Sequence, residues 1–570
     1  MGDAALKRGG FTFVLHSHLP FYRQTGRWPH GEEVLHEAMA ETYIPLVTAL
    51  LDLADEGVPY RLTLGITPIL AEQLGDSLIA EHFDRYIEHE IALAATDRAR
   101  FEQAGAGHSA YLAGYFEKYY ARAAAMFNNR LGRDLLGACR RLQDAGFLEI
   151  LTSAATHGYL PLLSRNSSVY GQLAVGKQNY ERLFGRPPRA VWLPECAYRP
   201  AYMTQNPGGR NYVKPGIEAF LANAGIGLFF CETNAVTGGA PGGKAAAGGG
   251  GALGYAPIPE RLLVEIPNYI PPTHRSAYLP YLVGSSDVSV LARNQRTSEQ
   301  VWAGQVGYPG DPWYREFHRK DDRSGMQYWR ITGHTVPLGE KQPYDPYRAQ
   351  ERVQEHARHF TGMVEDLLRE YDAEQGAPGI VVSAYDTELF GHWWHEGVDW
   401  LKATLRRLAA SPVVEMTTAS DWVERHPPAD RLALPESSWG EAGTHNTWAN
   451  AATEWMWRGI HGAEERMERL VAAQPRATGA LLEVLQQAAR ELLLLQASDW
   501  EFLTTTSQAS DYAGQRFMEH LAWFNDMAQT VEISGGGEEV DPMGLARCRV
   551  YAMRDNPFPD MDYRVFAARE

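Results

Sequence analysis

Short apolar runs recur along most of the chain, and longer stretches with helical periodicity separate them. A run of about four to eight aliphatic, β-branched and aromatic residues is typical of a buried strand, whereas apolar residues three and four positions apart predict a helix. Strands that alternate with helices in this way predict an α/β fold with a parallel sheet. The runs that predict strands are residues 11–15, 60–66, 147–151, 189–193, 226–230, 287–291, 379–383 and 413–417.

Two parts of the chain lack strand-like runs. Residues 81–142 are charged and alanine-rich at helical spacing, so they predict helices inserted between two strands. Beyond about residue 421 the strands are predicted to stop, and helical patterns occupy residues 454–473, 478–495 and 511–530. Because 570 residues are too many for one simple core, we predict several domains. They are a barrel of residues 1–80 and 147–420, an inserted helical subdomain of residues 81–146 and a C-terminal helical domain of residues 421–570.

One stretch of the chain is rich in glycine and alanine. Residues 238–254 contain too few large apolar side chains to pack a core, and Tyr255 follows them directly. The composition is equally compatible with a mobile lid that brings an aromatic ring over a cleft and with a surface insertion without a function.

Composition and charge narrow the classes of function. The chain has 70 acidic and 53 basic residues, and its net charge of -17 argues against a nucleic-acid-binding protein, which normally shows a basic face. The four cysteines are scattered, so neither a structural zinc site nor a disulfide framework is predicted. No apolar run approaches the roughly 18 residues of a membrane helix, and His16 and His18 interrupt the first one, which argues against a signal peptide. We therefore expect a cytoplasmic protein.

Carboxylates stand two and three residues after two of the predicted strands. Glu195 follows residues 189–193 and Asp386 follows residues 379–383, and both lie among tryptophans and tyrosines. In a (β/α) barrel the carboxyl ends of the strands form the rim on which active sites are built. Two carboxyl groups in an aromatic cleft suit glycosidic-bond chemistry, in which one attacks the anomeric carbon and the other donates a proton. Taken alone, each could equally be a solvated acid after a strand.

Three histidines occupy similar strand-end positions. His16 and His18 face the same side of an extended chain, and His157 follows the run at residues 147–151. Such histidines can bind a metal, hydrogen-bond a substrate or form a satisfied structural pair. The 15 tryptophans and 28 tyrosines are compatible with a sugar-binding cleft, because a pyranose ring packs its C–H face on an indole.

Five short motifs, taken in their order along the chain, resemble those of glycoside hydrolase family 57. They are His16-Ser-His-Leu-Pro20, Thr156-His-Gly-Tyr159, Trp192-Leu-Pro-Glu195, Ala384-Tyr-Asp-Thr-Glu388 and Thr447-Trp-Ala-Asn450. Each motif is weak alone, whereas the ordered set is specific. Within the family, the C-terminal helical region with Ser498-Asp-Trp500 resembles the α-1,4-glucan branching enzymes. The resemblance implies an incomplete TIM-like (β/α)7 barrel with an inserted helical subdomain and a C-terminal all-helical domain.

The resemblance also implies roles for individual residues. Glu195 would be the nucleophile and Asp386 the general acid/base. The remaining residues would bind substrate: His16, His18 and His157 in the donor subsite, Trp28, Trp302, Trp439 and Trp448 along the glucan cleft, Tyr255 on the loop that gates the acceptor, and Arg293, Gly310, Asp499 and Gln508 in segments similar to the family's substrate-binding positions. The sequence departs from the family's pattern in the Gly/Ala-rich stretch, which is expanded.

The expected reaction is double displacement with retention. Glu195 would attack an α-1,4 linkage while Asp386 protonates the departing chain, and the 6-hydroxyl of another glucose would then act as acceptor. A retaining pair predicts carboxyl groups about 5 to 5.5 Å apart. The expected partner is an α-glucan, with no cofactor, no metal and a monomeric protein. The alternatives are a 4-α-glucanotransferase or α-amylase of the same family, a metal-dependent carbohydrate deacetylase in which the histidines are ligands, and a non-catalytic glucan-binding protein.

Overall fold

Short strands alternate with helices along the first part of the chain, and helices alone form the last part. The computed structural model describes residues 7–26, 30–205, 211–240, 270–303, 306–534 and 539–569. The strands are β1 (Gly9–Ser17), β2 (Leu62–Ile66), β3 (Leu148–Leu151), β4 (Tyr202–Gln205), β5 (Asn211–Lys214), β6 (Leu228–Cys231), β7 (Tyr281–Val283), β8 (Ser289–Ala292), β9 (Gly379–Asp386), β10 (Val414–Met416) and β11 (Arg431–Leu432). The α-helices of the first part are α1 (Glu32–Ala38), α2 (Ile44–Asp55), α3 (Pro68–Leu74), α4 (Ser77–Gln103), α5 (Gly107–Ala125), α6 (Leu135–Asp144), α7 (Asn166–Phe184), α8 (Ile217–Ala224), α9 (Thr233–Thr237), α10 (Gln295–Trp302), α11 (Pro346–Gln375), α12 (Gly397–Ala409) and α13 (Ala419–Arg425).

Seven parallel strand segments form the wall of a barrel. β1 lies between β2 and β9, and β2 pairs with β3. Residues 190–191 continue the wall through parallel bridges from Val191 to Thr152 and from Ala190 to Leu228. β6 then pairs with β8, and the ring closes where the Asn294 N–H donates to the carbonyl of Val382 in β9 at 2.7 Å. Every residue of β1 is buried, as expected of a barrel strand covered on both faces. The α/β barrel with seven strand positions is confirmed.

The segment that precedes Glu195 is shorter than the sequence predicts. Residues 190–193 are buried, but residues 189–193 make only the two bridges and no extended strand. The ladder stops because Pro194 has no N–H to donate and because residues 194–196 form a 3₁₀ turn. The prediction of a buried segment is correct, and the prediction of a full strand is wrong.

Several short elements differ from the prediction. An antiparallel hairpin of β4 and β5, which no strand-like run in the sequence predicts, lies between Glu195 and α8. β11 lies beyond residue 421 and pairs with β7, so the prediction that strands stop at residue 421 is wrong. A strand of two residues is too short to show an alternating pattern in sequence. β10 pairs with the first residues of β1, and β7 pairs with β8.

The inserted region is helical as predicted. α3 to α6 lie between β2 and β3, and α4 begins where the side chain of Asp76 accepts a hydrogen bond from the N–H of Leu78 at 2.7 Å. α4 and α5 pack lengthwise against each other and place α5 beside the barrel. The division of the chain into domains at residues 80, 146 and 420 stays a prediction.

The last part of the chain is a group of helices that shares an apolar core with one side of the barrel. It contains α14 (Glu454–Ala473), α15 (Gly479–Leu495), α16 (Asp499–Thr506), α17 (Ser510–Ile533) and α18 (Pro542–Arg554). Leucines of α15 and aromatics of α17 pack in the same cluster as Val191 and Leu193 of the barrel wall. Gly158 and Ala497 form an antiparallel bridge, which brings the start of α16 to the barrel rim. Among the described helices, none combines the length and the apolar character needed to cross a membrane.

Candidate active site

Glu195 lies on a strained turn at the carboxyl end of the barrel wall. Its φ is 56° and its ψ is 26°, a left-handed conformation that is unfavourable for a residue with a Cβ. The neighbouring Cys196 and the rim residue His157 also have positive φ, at 51° and 57°. The Trp439 N–H donates to the carbonyl of Glu195 at 2.8 Å and fixes the turn. Such strain is held by surrounding contacts and concentrates at functional sites.

Asp386 is the last residue of β9, and the pairing of β9 with β1 places it beside His16. The two residues are direct partners in the parallel register. The end of β1 also holds the two residues that follow Asp386. The Ser17 hydroxyl donates to the Thr387 Oγ1 at 2.8 Å, and the His18 N–H donates to Glu388 Oε1 at 3.1 Å. The start of the loop after Asp386 is therefore fixed against β1.

The three predicted histidines form one cluster. The Nε2 atoms of His16 and His157 are 3.0 Å apart, and the rings of His18 and His157 stack with their centres 3.8 Å apart. His157 Nδ1 lies 4.0 Å from Glu195 Oε1, which joins the cluster to the carboxylate. Burial lowers the pKa of His16 and His157 well below the ordinary value, and the neighbouring histidines lower it further. Both rings are therefore neutral near pH 7, and they can donate and accept hydrogen bonds.

The start of α16 completes the cluster from the C-terminal helices. The Ser498 N–H donates to the carbonyl of His157 at 3.2 Å, and the Ser498 hydroxyl is 2.9 Å from His157 Nδ1. Asp499 Oδ1 is 3.0 Å from His18 Nε2, whose other ring nitrogen is 3.0 Å from the Thr67 hydroxyl. Because both nitrogens of His18 have partners, its ring orientation is fixed by the barrel and by the C-terminal helices together.

Arg293 reaches the same rim from the end of β8. Its guanidinium contacts Glu232 with two nitrogens, at 3.0 Å and 2.8 Å, and lies over the ring of Trp439 with 5.2 Å to the ring centre. Both charged side chains are almost completely buried. Trp439 in turn packs against Trp192 with 4.7 Å between ring centres. The Arg293–Glu232 pair therefore anchors the loop that carries Trp439, and Trp439 holds the Glu195 turn.

We expect Arg293→Met to lower stability strongly, because it leaves the carboxylate of Glu232 buried without its partner. Breaking a buried pair on one side costs about 3–5 kcal/mol. The double variant Arg293→Met with Glu232→Leu removes both charges and should recover much of that loss. Chemical denaturation of the three proteins checks this, and a single variant as stable as the double variant would contradict it.

Burial raises the pKa of both carboxyl groups. The pKa of Glu195 lies well above its ordinary value because of burial, and the charges of Asp386 and Asp499 raise it further. Burial raises the pKa of Asp386 to about 7, against the opposing effects of His18 and Arg293. The Glu195 side chain still keeps 21% of its surface exposed, so a ligand can reach it. Both carboxyl groups therefore hold a proton at higher pH than an exposed acid does.

This geometry agrees with the comparison of the chain with known proteins. The model described as glycosyl hydrolase family 57 matches residues 12–435, which include both carboxyls and all three histidines. The chain belongs to glycosyl hydrolase family 57. A second model, described as the C-terminal region of 1,4-alpha-glucan branching enzymes, matches residues 459–566. That range includes Ser498 and Asp499.

Individual relatives in family 57 are similar over nearly the whole chain. The 1,4-alpha-glucan branching enzyme of Thermococcus kodakarensis is 43% identical over 558 residues, which are 97% of this chain and 77% of that protein. The crystal structure of the Thermococcus branching enzyme in complex with glucose and additives matches with a TM-score of 0.88 at 41% identity, over 99% of this chain and 97% of that chain. The crystal structure of an α-amylase from Thermotoga maritima matches with a TM-score of 0.79 at 30% identity, over 99% and 100% of the two chains. The predicted family and fold are confirmed.

The other residues predicted to bind substrate are placed differently from one another. Trp302 is half-buried, and its ring centre is 6.4 Å from that of Trp393 in the loop after Asp386. Gly310 lines a separate cavity of about 450 Å³ whose walls contain neither carboxyl nor any of the three histidines. Gln508 is exposed at the turn between α16 and α17. Trp28, Tyr255 and most of the Gly/Ala-rich stretch, from residue 241 on, lie outside the described residues.

Trp448 lies beneath the site and not on its surface. Its ring is fully buried and stacks on Tyr159 with 4.4 Å between ring centres. Tyr159 follows His157 by two residues. Since the Trp448 ring has no accessible face, the predicted direct contact with a glucan is corrected to a packing role under the rim.

Four residues at this site were not predicted from the sequence. Glu232 stands two residues after the predicted strand at residues 226–230, as Glu195 stands two residues after its own, and this spacing is a usable signal. Ser498 belongs to the Ser498-Asp-Trp500 motif, which by itself assigns it no contact. Glu388 is buried, and its pKa is raised to about 8. It accepts a hydrogen bond from the hydroxyl of Tyr43, and no sequence pattern pointed to Tyr43.

Proposed function

We propose that this protein is a retaining 1,4-α-glucan branching enzyme in which Glu195 is the nucleophile and Asp386 the general acid/base. The observation that supports it most is that the barrel and the C-terminal helices together form the rim around the carboxyl groups. The region that matches branching enzymes contributes Ser498 and Asp499, and they hydrogen-bond to His157 and His18, two of the three histidines of the cluster. The proteins of similar sequence and structure include branching enzymes over 97% or more of this chain.

In the first step Glu195 attacks the anomeric carbon of an α-1,4-linked glucosyl unit. Asp386, protonated near neutral pH, transfers its proton to the glycosidic oxygen of the departing chain. The products are a β-glycosyl ester on Glu195 and a shortened glucan. The rings of His16, His18 and His157 line the donor subsite, where their contacts with one another and their bonds to Ser498 and Asp499 hold them in place.

In the second step the 6-hydroxyl of another glucan chain attacks the glycosyl ester. Asp386, now a carboxylate, accepts the hydroxyl proton, and Glu195 leaves as a carboxylate. Two inversions give net retention and a new α-1,6 linkage. Transfer in place of hydrolysis requires that the acceptor chain, and not water, occupies the position next to the ester.

Linkage analysis of the products tests this function. Amylose incubated with the protein should acquire α-1,6 linkages, visible as branch-point anomeric signals by NMR and as short linear chains released by a debranching enzyme. The Glu195→Gln protein serves as the blank. Longer linear chains without branch points, or reducing ends alone, would contradict branching.

An α-amylase or 4-α-glucanotransferase is the second candidate. The observation that favours it is the match to the Thermotoga maritima α-amylase at 30% identity over the whole chain. An amylase releases new reducing ends in proportion to the bonds cleaved, and a 4-α-glucanotransferase redistributes linear chain lengths. A branching enzyme conserves the number of reducing ends and creates branch points. The monomeric state and the cytoplasmic location stay predictions, and light scattering of the purified protein tests the first.

A further inference from the structure

His445 joins the two segments of the chain that contact Glu195. Its Nδ1 lies 2.7 Å from the hydroxyl oxygen of Tyr159, which stands two residues after His157, and it belongs to the same loop as Trp439. His157 Nδ1 lies 4.0 Å from the Glu195 side chain, and the Trp439 N–H donates to the Glu195 carbonyl at 2.8 Å. The bond between His445 and Tyr159 therefore closes a ring of contacts around Glu195.

Glu436 determines which nitrogen of His445 carries the proton. Glu436 Oε1 lies 2.8 Å from His445 Nε2, and the two side chains are only 10% and 13% exposed. As a carboxylate, Glu436 can only accept hydrogen bonds, so the proton of the neutral His445 ring lies on Nε2. Nδ1 then accepts from the Tyr159 hydroxyl. The three side chains therefore form a directional hydrogen-bonded chain.

The loop between Trp439 and His445 is tied across its base. The Ser438 N–H donates to the carbonyl of Gly443 at 3.1 Å, and the Ser438 hydroxyl donates to the carbonyl of Thr444 at 2.5 Å. Ser438 is the neighbour of Trp439, and Thr444 is the neighbour of His445. A displacement of His445 is therefore passed on to the backbone of Trp439.

The Tyr159 hydroxyl serves this link and not the packing of the ring. The ring is fully buried and stacks on Trp448 with 4.4 Å between ring centres, an arrangement that a phenylalanine ring could also adopt. A buried tyrosine hydroxyl needs a hydrogen-bond partner, and here His445 provides it. Removing the hydroxyl alone therefore separates the link from the packing.

The turn at Glu195 needs a restraint from outside. Its φ of 56° and ψ of 26° are unfavourable for a residue with a Cβ, so the turn persists only because surrounding contacts hold it. The direction of the Glu195 side chain follows from these two angles. A small relaxation of the turn would therefore move the carboxylate off the line of attack on the anomeric carbon.

We propose that His445 is a positioning residue for the nucleophile: together with Glu436 and Tyr159 it locks the loop that keeps Glu195 in its left-handed conformation. It acts through this loop and not on the substrate. The proposal rests on the proposed function, in which Glu195 forms the glycosyl ester. Weakening the chain should slow formation of the ester and leave substrate binding nearly unchanged, because only the geometry of attack is lost.

Trapping the glycosyl ester measures the placement of Glu195 without a proton transfer. The reagent is α-maltosyl fluoride with a second fluorine on carbon 5 of the reacting ring. Glu195 attacks the anomeric carbon and fluoride leaves, and the ester accumulates because the electron-withdrawing fluorine makes its breakdown slow. Mass spectrometry of the peptide that contains Glu195 gives the rate constant and the final extent of labelling. A merely structural role lowers the extent, whereas a positioning role lowers the rate constant at full extent.

His445→Leu removes both bonds and keeps the bulk, and Tyr159→Phe removes only the hydroxyl. Each should lower the labelling rate constant at saturating reagent by about 10- to 100-fold, the effect of misplacing a reacting group. His445→Asn, which keeps an acceptor in place of Nδ1, should label faster than His445→Leu. The double variant of Tyr159→Phe with His445→Leu should be no slower than His445→Leu, because the two residues act through one bond. His89→Leu, on the exposed side of α4, is the matched control and should label as the parent does.

Rate constants equal to the parent's in both single variants, or a loss confined to the extent of labelling, would overturn the proposal. So would losses that multiply in the double variant. If His445→Leu does not fold, Tyr159→Phe decides, since its ring can still stack on Trp448. A parent protein that is not labelled at Glu195 would instead contradict the proposed nucleophile, so the two failures give different results.

Discussion

The Glu195→Gln protein is expected to lose branching activity by a factor on the order of 10⁴ to 10⁶, the loss typical of removing an enzyme's nucleophile. Glutamine keeps the size of the side chain, but its amide cannot form the glycosyl ester. The substitution also removes a carboxyl whose pKa is raised by burial and by the charges of Asp386 and Asp499. We therefore expect the folded protein to be as stable as the parent or more stable, because ionising Glu195 in this site is unfavourable.

The measurement combines the initial rate of branch formation on amylose with a thermal denaturation midpoint. Glu441→Gln is the matched control, since Glu441 is exposed in the loop that follows Trp439. It should keep full activity. A smaller variant, Glu195→Ala, leaves room for azide, which should then attack the donor from the vacated face and give a β-glycosyl azide. Full branching activity in Glu195→Gln, or loss of the folded state, would contradict the proposed role.

Much of the barrel could be predicted because its strands are buried on both faces. β1, β3 and β9 appear in sequence as short continuous apolar runs between helical stretches, and the structure places them within a few residues of the predicted limits. The helices α14, α15 and α17 were also predicted, because long amphipathic patterns are the most informative signal in a single sequence. The parts that failed are short. β11 has two residues, and residues 190–191 contribute two bridges, so tertiary contacts alone define them.

Individual residues of the candidate site could be predicted where a histidine, a carboxylate or an arginine follows a predicted strand. His16, His157, Glu195, Asp386 and Arg293 were all found in this way, and the structure brings them to one rim. The contribution of α16 followed from the resemblance and not from any pattern, because α16 reaches His18 and His157 across more than 340 residues of sequence. Likewise, the burial of Trp448 beneath Tyr159 could not be read from a tryptophan in a loop. Residues that are far apart in sequence and meet only in the folded chain can be recognised as partners only from the structure.

The Asp386→Asn protein is expected to lose about 10²- to 10⁴-fold in the rate of branching of amylose, the usual contribution of general acid–base catalysis. Asparagine cannot protonate the departing chain. A donor whose leaving group needs no proton, such as α-maltosyl fluoride, should still react with Glu195 in the first step. The second step lacks its base, so the glycosyl ester on Glu195 should accumulate and be detectable by mass spectrometry of the peptide that contains it. Azide, which needs no base, should release it as an α-glycosyl azide.

The pH dependence gives an independent check of the same assignment. The acid form of Asp386 is required and its pKa is about 7, so kcat/KM of the parent on amylose should fall as the pH rises through about 7. This basic limb should disappear from the residual activity of Asp386→Asn on amylose. Removing the negative charge of Asp386 should also lower the pKa of Glu195, because that charge disfavours its ionisation, so the acidic limb should move to lower pH. Asp287→Asn, on a fully exposed aspartate, is the matched control and should leave both limbs in place. A basic limb that persists in Asp386→Asn would assign the required proton to another group, and Glu388, with a pKa of about 8, would be the first to test.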